Sequence, residues 1–166
     1  AEMEVDRERV GTMVLVGAGN NLDCKKWKDL RTEEEEDEYI EEVAEMSTEL
    51  IKKFTQKGMN VVFVCPPVRI SSTRDAELKY EREMDNRTKG MKDLVMVWTS
   101  TYMETDANHK DYRDSDEGWK DTIKKWLQSD GKHLRPGKLT SLIEHGLGKL
   151  KLSLHIRNEN TSQTDI

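Results

Sequence analysis

Asn60-Val61-Val62-Phe63-Val64-Cys65-Pro66-Pro67, NVVFVCPP, is the stretch that decides how this chain folds. From Val61 to Cys65 it is apolar without interruption, rich in β-branched residues, and closed by two prolines. A strand with one wet face alternates apolar and polar residues. A short continuous run bounded by turn residues is instead the pattern of a strand covered on both faces, as in a parallel sheet between helices.

Two further runs of the same kind lie to either side. TMVLVG (12–17) ends in glycine, and DLVMVW (93–98) follows a glycine at position 90. Between the first two, after a stretch containing DCKKWKDLR that reads as a polar loop, Thr32 and Glu35 form a capping-box pair ahead of an acidic first turn, which predicts a helix start. Ile40, Val43, Ala44, Ser47, Leu50, Ile51 and Phe54 recur at helical spacing until Gly58. The EEEEDE run then reads as the solvated start of that helix.

Between the second and third runs, Ala76, Leu78, Tyr80 and Met84 predict another helix, capped from Ser71, Ser72 or Thr73. Residues 99–118 are polar and acidic and read as a long surface loop. Trp119, Ile123, Trp126 and Leu127 mark a short amphipathic helix, and a last helix starts near Pro136 with Leu139, Leu142, Ile143 and Leu147. Strand, helix, strand, helix, strand, helix, helix is the alternation that builds a parallel α/β sheet. In such sheets ligands bind beyond the carboxyl ends of the strands, here GAGNN, CPPV and the segment after Trp98.

The bulk composition narrows the function. The chain has 166 residues, enough for one domain, with 34% hydrophobic and 36% charged residues. A net charge of −6, from 27 basic and 33 acidic residues, comes without a basic stripe and argues against nucleic acid as partner. No apolar run approaches the roughly 18 residues of a membrane span and no signal-peptide pattern opens the chain, so the sequence reads as that of a soluble protein, the cytoplasm favoured. Cys24 and Cys65 are too few for a disulfide framework or a zinc site, and no cofactor or metal motif is present. Residues 1–10 read as a polar leader, 11–150 as the domain and 151–166 as a frayed polar tail. The chain opens on Ala1 and reads as a piece of a longer polypeptide.

Gly17-Ala18-Gly19-Asn20-Asn21-Leu22 raises a nucleotide reading that its spacing removes. A dinucleotide fingerprint needs a third glycine where Leu22 stands, and an acidic residue about 20 positions on at the end of the next strand. The loop is then a plain turn or an anion hole, in which a glycine N–H and an asparagine amide stabilise an oxyanion. Asp130 and His133, in SDGKHL, add weight to the second reading, because an aspartate separated by two residues from a histidine in a turn can orient it as a base.

With these residues in view, the chain resembles the SGNH, or GDSL-type, hydrolase family of esterases. The resemblance rests on a strand ending in Gly-x-Asn, a following strand ending in Pro-Pro, a third strand, and a late DGKHL leading into a final helix. It implies a three-layer α/β/α domain with a parallel, flavodoxin-like sheet, of which this chain carries the later part, truncated on its N-terminal side. It also implies His133 as general base, Asp130 as the triad acid, and Gly19 with Asn21 as oxyanion donors, Asn20 being the alternative. The family's Gly-Asp-Ser nucleophile block has no counterpart here. The first serine, Ser47, lies mid-helix on the apolar face, so the nucleophile is unassigned.

The implied activity is hydrolysis of a small-molecule ester, once an upstream segment supplies the serine; the isolated chain is expected to be inactive. The alternative is a non-catalytic, esterase-like binding or scaffolding module of a longer protein. Loss of the preceding strands would leave TMVLVG at a sheet edge, open to self-association.

Overall fold

The computed structural model describes residues 11–22, 25–69, 74–106 and 116–162. Cys24, Ser71, Ser72, Thr73, His109 and the leader 1–10 lie outside the described residues, as does the side chain of Trp119. Among the described residues, three strands and six helices follow in the order β1 (Thr12–Val16), α1 (Lys25–Asp29), α2 (Glu33–Thr55), β2 (Asn60–Val64), α3 (Arg74–Thr88), β3 (Leu94–Val97), α4 (Thr99–Thr105), α5 (Asp116–Trp126) and α6 (Pro136–Ser162). The fold is mixed α/β, built on a parallel sheet in the order β1-β2-β3.

Every residue of β2 is buried. Its side chains divide by parity, as a pleated strand requires. Val61, Phe63 and Cys65 pack with α2 and α3, through Ile40, Val43, Tyr80 and Met84. Val62 and Val64 pack with Met103 of α4, Trp126 of α5 and Leu142 and Leu150 of α6. Each fully buried aliphatic or aromatic side chain contributes about 1.5–3 kcal/mol, which is why an uninterrupted apolar run was needed to hold helices on both faces.

Helix α2 begins as its sequence predicts. The Thr32 side chain accepts the N–H of Glu35, and the Glu35 carboxylate accepts the Thr32 N–H. Its buried stripe is Tyr39, Ile40, Val43, Ala44, Thr48 and Ile51, while Leu50, expected in the core, is 42% exposed. The acidic start is not simply solvated: Lys79 of α3 bonds Asp37 at 2.8 Å and Glu36 at 3.3 Å. Ser47 packs within the helix pair, its hydroxyl donating to the Val43 carbonyl and accepting from Tyr80.

Three expectations for the polar segments are corrected. Lys25–Asp29, read as loop, is the short helix α1. Residues 99–105, read as the start of a long loop, form α4, whose first turn is held by Glu81 of α3 accepting the Ser100 N–H at 3.2 Å. The tail is helical as far as Ser162: Leu150 is buried, Leu154 packs against the same cluster four residues on, and Arg157 Nη1 meets Asp93 Oδ1 at 2.5 Å. Those i, i+4 leucines dock one face onto the fold, while Leu152 and Ile156 lie exposed among the polar residues of the other face. Leu147, expected in the core, is 39% exposed.

Helix α6 approaches the sheet closely at Gly146. A Cβ there would lie 2.4 Å from Val62 Cγ1 and 2.9 Å from Val97 Cγ2. Strand β1 is an edge strand among the described residues. In its parallel pairing the Asn60 N–H donates to Gly11 and the Gly17 N–H donates to Val64, so odd-numbered residues bond inward to β2. The backbone groups of Thr12, Val14 and Val16 therefore face outward. No helix among the described residues is long and apolar enough to cross a membrane.

Candidate functional site

Beyond the carboxyl ends of β1 and β2 lies a cleft of about 870 Å³. One wall is the glycine loop, Gly17 to Asn21; Pro66, Pro67 and Arg69 form the floor, and Lys132 and His133 come from the loop between α5 and α6. The parallel sheet and the return of the chain into α6 thus bring together two loops more than a hundred residues apart. Residues 99–105, in contrast, form α4 and take no part in the lining.

The glycine loop is fixed from behind. Leu22 is fully buried, its N–H donates to the Ala18 carbonyl at 3.1 Å, and the Tyr39 hydroxyl donates to the Asn21 carbonyl at 3.1 Å. Leu22 thus occupies the third-glycine position of the dinucleotide fingerprint as a core anchor. The left-handed residue of the turn is Ala18, with φ 67°, and not a glycine. Such a conformation costs a non-glycine residue on the order of 1–3 kcal/mol and persists where the surroundings enforce it.

The glycines serve space instead. A Cβ on Gly17 would lie 2.8 Å from Phe63 Cζ, and one on Gly19 would lie 2.4 Å from Arg69 Nη2. No acceptor for the backbone N–H groups of Gly19, Asn20 and Asn21 is found among the described residues.

At His133, which lies on the opposite wall, the side chains of Asp130 and His133 are brought together as their spacing predicts. His133 Nδ1 lies 2.6 Å from Asp130 Oδ2, and Asp130 Oδ1 accepts the N–H groups of Lys132 at 2.8 Å and His133 at 3.1 Å. Gly131, at φ 67°, supplies the bend. The loop is closed by the Gln128 N–H donating to the His133 carbonyl and by the isolated bridge between Leu127 and Leu134. Arg135 Nε donates to the Leu127 and Lys124 carbonyls and so caps the end of α5. The hydrogen bond from His133 and the two amides hold the Asp130 carboxyl well below the usual carboxylate range. With Nδ1 engaged, Nε2 is the nitrogen left for proton transfer, and the His133 side chain is 70% exposed.

Comparisons of this chain with protein-family models, with curated proteins and with solved structures return no match. The site is therefore read from its own chemistry.

One residue of the cleft and the residue behind it escape sequence reasoning. Arg69, only 7% exposed, is held by Glu77 of α3, which is fully buried. Glu77 Oε1 lies 3.3 Å from Arg69 Nε, and Glu77 Oε2 accepts the Arg69 backbone N–H at 3.1 Å. An arginine eight positions ahead of a helical glutamate carries no readable pattern; only the fold shows that the pair is buried.

Cys65 is buried at the end of β2. Desolvation, and then the nearby Glu81 carboxylate, push its thiol well above the ordinary value, so it is not a poised thiolate. Among the described residues no group of three or more His, Cys, Asp or Glu side chains gathers as a metal site.

Proposed function

We propose that this chain carries the base, acid and oxyanion side of an SGNH-type ester hydrolase, within a three-layer, flavodoxin-like α/β/α arrangement of which it is the later part. The observation that carries this reading is the single cleft shared by Gly19, Asn20, Asn21 and His133, with Asp130 bonded to the histidine. In that role Asp130 holds the imidazole by Nδ1, and Nε2 takes the proton of a serine hydroxyl as it attacks an ester carbonyl. The amides of Gly19 and Asn21, or of Asn20, stabilise the oxyanion that forms. His133 then returns the proton to the departing alcohol, and water repeats the sequence to release the acid.

The exposure of the site supports the view that it is half of one. Asn20, Asn21 and His133 are all exposed, and oxyanion donors are worth most where water is excluded. A serine-bearing segment over the cleft would supply both nucleophile and cover. The test is release of p-nitrophenol from short-chain p-nitrophenyl esters, by the 166-residue chain and by the product of its full coding sequence. The chain alone is expected to match buffer, and the full product to turn over, label with a fluorophosphonate and lose activity on His133→Ala. Turnover by the 166-residue chain that survives His133→Ala overturns the assignment.

A second reading, a non-catalytic binding or scaffolding module, is favoured by the outer edge of β1. Thr12, Val14 and Val16 present their backbone groups outward, Val16 is 53% exposed, and no charge or proline blunts the strand. Under this reading the edge pairs with a second copy of the chain.

A further inference from the structure

The charges at the cleft do not single out an ionic ligand. Arg69 is paired with Glu77 behind it, and His133 with Asp130. The apolar part of the lining, in contrast, has a direction. On one wall Asn20 and Asn21 lead back through the glycines to Val16 at the end of β1, and on the other His133 leads on to Pro136 and Leu139 in the first turn of α6. Both walls thus pass from polar to apolar residues along the chain.

The two apolar ends share a face of the sheet. Val14 pairs with Val62 and Val16 with Val64, so all four side chains point to the side on which α6 packs. Val14 is half-buried there, against the cluster that Leu139 and Ile143 also join. Val16, one repeat farther on, lies beyond that packing: it is 53% exposed and lines the cleft with Leu139, itself half-buried.

We propose that the cleft binds an aliphatic chain between Val16 and the first turn of α6, with the polar group that ends the chain at His133. A cleft of about 870 Å³ lies within the range of small-molecule sites, which run from about 300 to 1,000 Å³, and has room for both parts. Such sites are mostly apolar, with a few polar groups that fix orientation, which is the division the two walls show. The driving force is removal of the chain and of Val16 from water. A methylene wholly withdrawn from water tightens binding about fourfold, and one half covered about twofold. Taken with the hydrolase reading, on which this substrate assignment rests, the substrate is an ester of a medium-length aliphatic acid or alcohol.

The test is amide and methyl NMR of the 166-residue chain, titrated with hexanamide and with acetamide, two neutral mimics that differ only in their methylenes. Saturable shifts are expected at Val16, Leu139 and His133, with hexanamide binding at least about tenfold more tightly than acetamide. Val16→Asp, at an exposed position, and Leu139→Ala are each expected to weaken hexanamide binding about three- to fivefold. Equal affinity for the two amides, or unchanged hexanamide affinity in both folded variants, overturns the proposal. So do shifts at Val16 and Leu139 that follow protein concentration instead of ligand, which mark the patch as covered by a second copy. In the full-length product, kcat/KM is expected to rise about two- to fourfold per methylene along either a p-nitrophenyl acyl series or an alkyl acetate series, and the series that responds tells whether the chain belongs to the acid or the alcohol. Hexanamide binding without ester turnover removes the hydrolase reading alone. Turnover that ignores chain length in both series removes the aliphatic assignment alone.

Discussion

Glu77 and Arg69 form a buried ion pair directly beneath the glycine loop, with Oε1 3.3 Å from Nε and both residues less than a tenth exposed. A buried pair of this kind makes little net contribution, because desolvation offsets the attraction, but removing one member leaves the other charge stranded. Glu77→Ala is therefore expected to lower stability by about 3–5 kcal/mol in urea unfolding. The double replacement Arg69→Met, Glu77→Leu should return to within about 1 kcal/mol of the parent or exceed it. If the single and double variants are equally unstable, the two side chains are not coupled as their geometry requires.

The Asp130 carboxyl is held well below its ordinary value of 3.8, first by the His133 side chain and then by the amides of Lys132 and His133. A carboxyl depressed in the folded state stabilises that state above its ordinary value, and the contribution is lost as pH falls through the lowered one. The Asp130 loop should thus keep its geometry at pH 3.8, where an ordinary aspartate is half protonated. Carbon-13 NMR of the Asp130 carboxyl is expected to show a midpoint below 3.8 in the parent and an upward move in His133→Ala. A parent midpoint at or above the ordinary value means that the contact is not formed in solution.

Gly146 and Gly148 share one helix and differ in what a methyl group would meet. At Gly146 it strikes the stiff side chains of Val62 and Val97, whereas at Gly148 nothing lies within 4 Å. Helix propensity favours alanine over glycine by about 0.8–1.0 kcal/mol at either position. Gly148→Ala should accordingly gain up to that amount, while at Gly146 overpacking of about 1–3 kcal/mol outweighs it. Denaturant midpoints that rise for Gly148→Ala and fall for Gly146→Ala are the expected result. A rise at both would place α6 farther from the sheet than described.

The strands and the start of α2 were legible because their signals are local. A continuous apolar run from Val61 to Cys65 has few alternatives, and Thr32 with Glu35 satisfies each other's backbone within four residues. The reach of α6 was not legible, because Leu150 and Leu154 sit among lysines and Leu152, and only their docking tells which leucines count. At the site, Asp130 and His133 are a local pair and could be read from spacing. Arg69 and Glu77 could not, since a charged residue after two prolines reads as solvated loop until the fold closes over it. Ala18 went unread for the opposite reason: the flanking glycines are the residues that take left-handed backbone without cost, but packing against Phe63 and Arg69 had already claimed them.

The edge of β1 gives the second functional reading a geometric signature. Thr12, Val14 and Val16 turn their N–H and C=O groups outward, and they are spaced symmetrically about Val14. Two such edges related by a two-fold axis pair antiparallel with Val14 opposite Val14 and Thr12 opposite Val16, each facing pair exchanging both hydrogen bonds. Val14→Pro deletes an outward N–H and leaves the inward bonds of Met13 and Leu15 untouched, which is the situation in which an edge strand tolerates proline. Sedimentation velocity across the micromolar to millimolar range is expected to show a monomer–dimer equilibrium for the parent and a monomer for Val14→Pro, with unchanged circular dichroism. A parent that stays monomeric throughout, or a folded Val14→Pro chain that dimerises as well as the parent, rules out pairing through this edge.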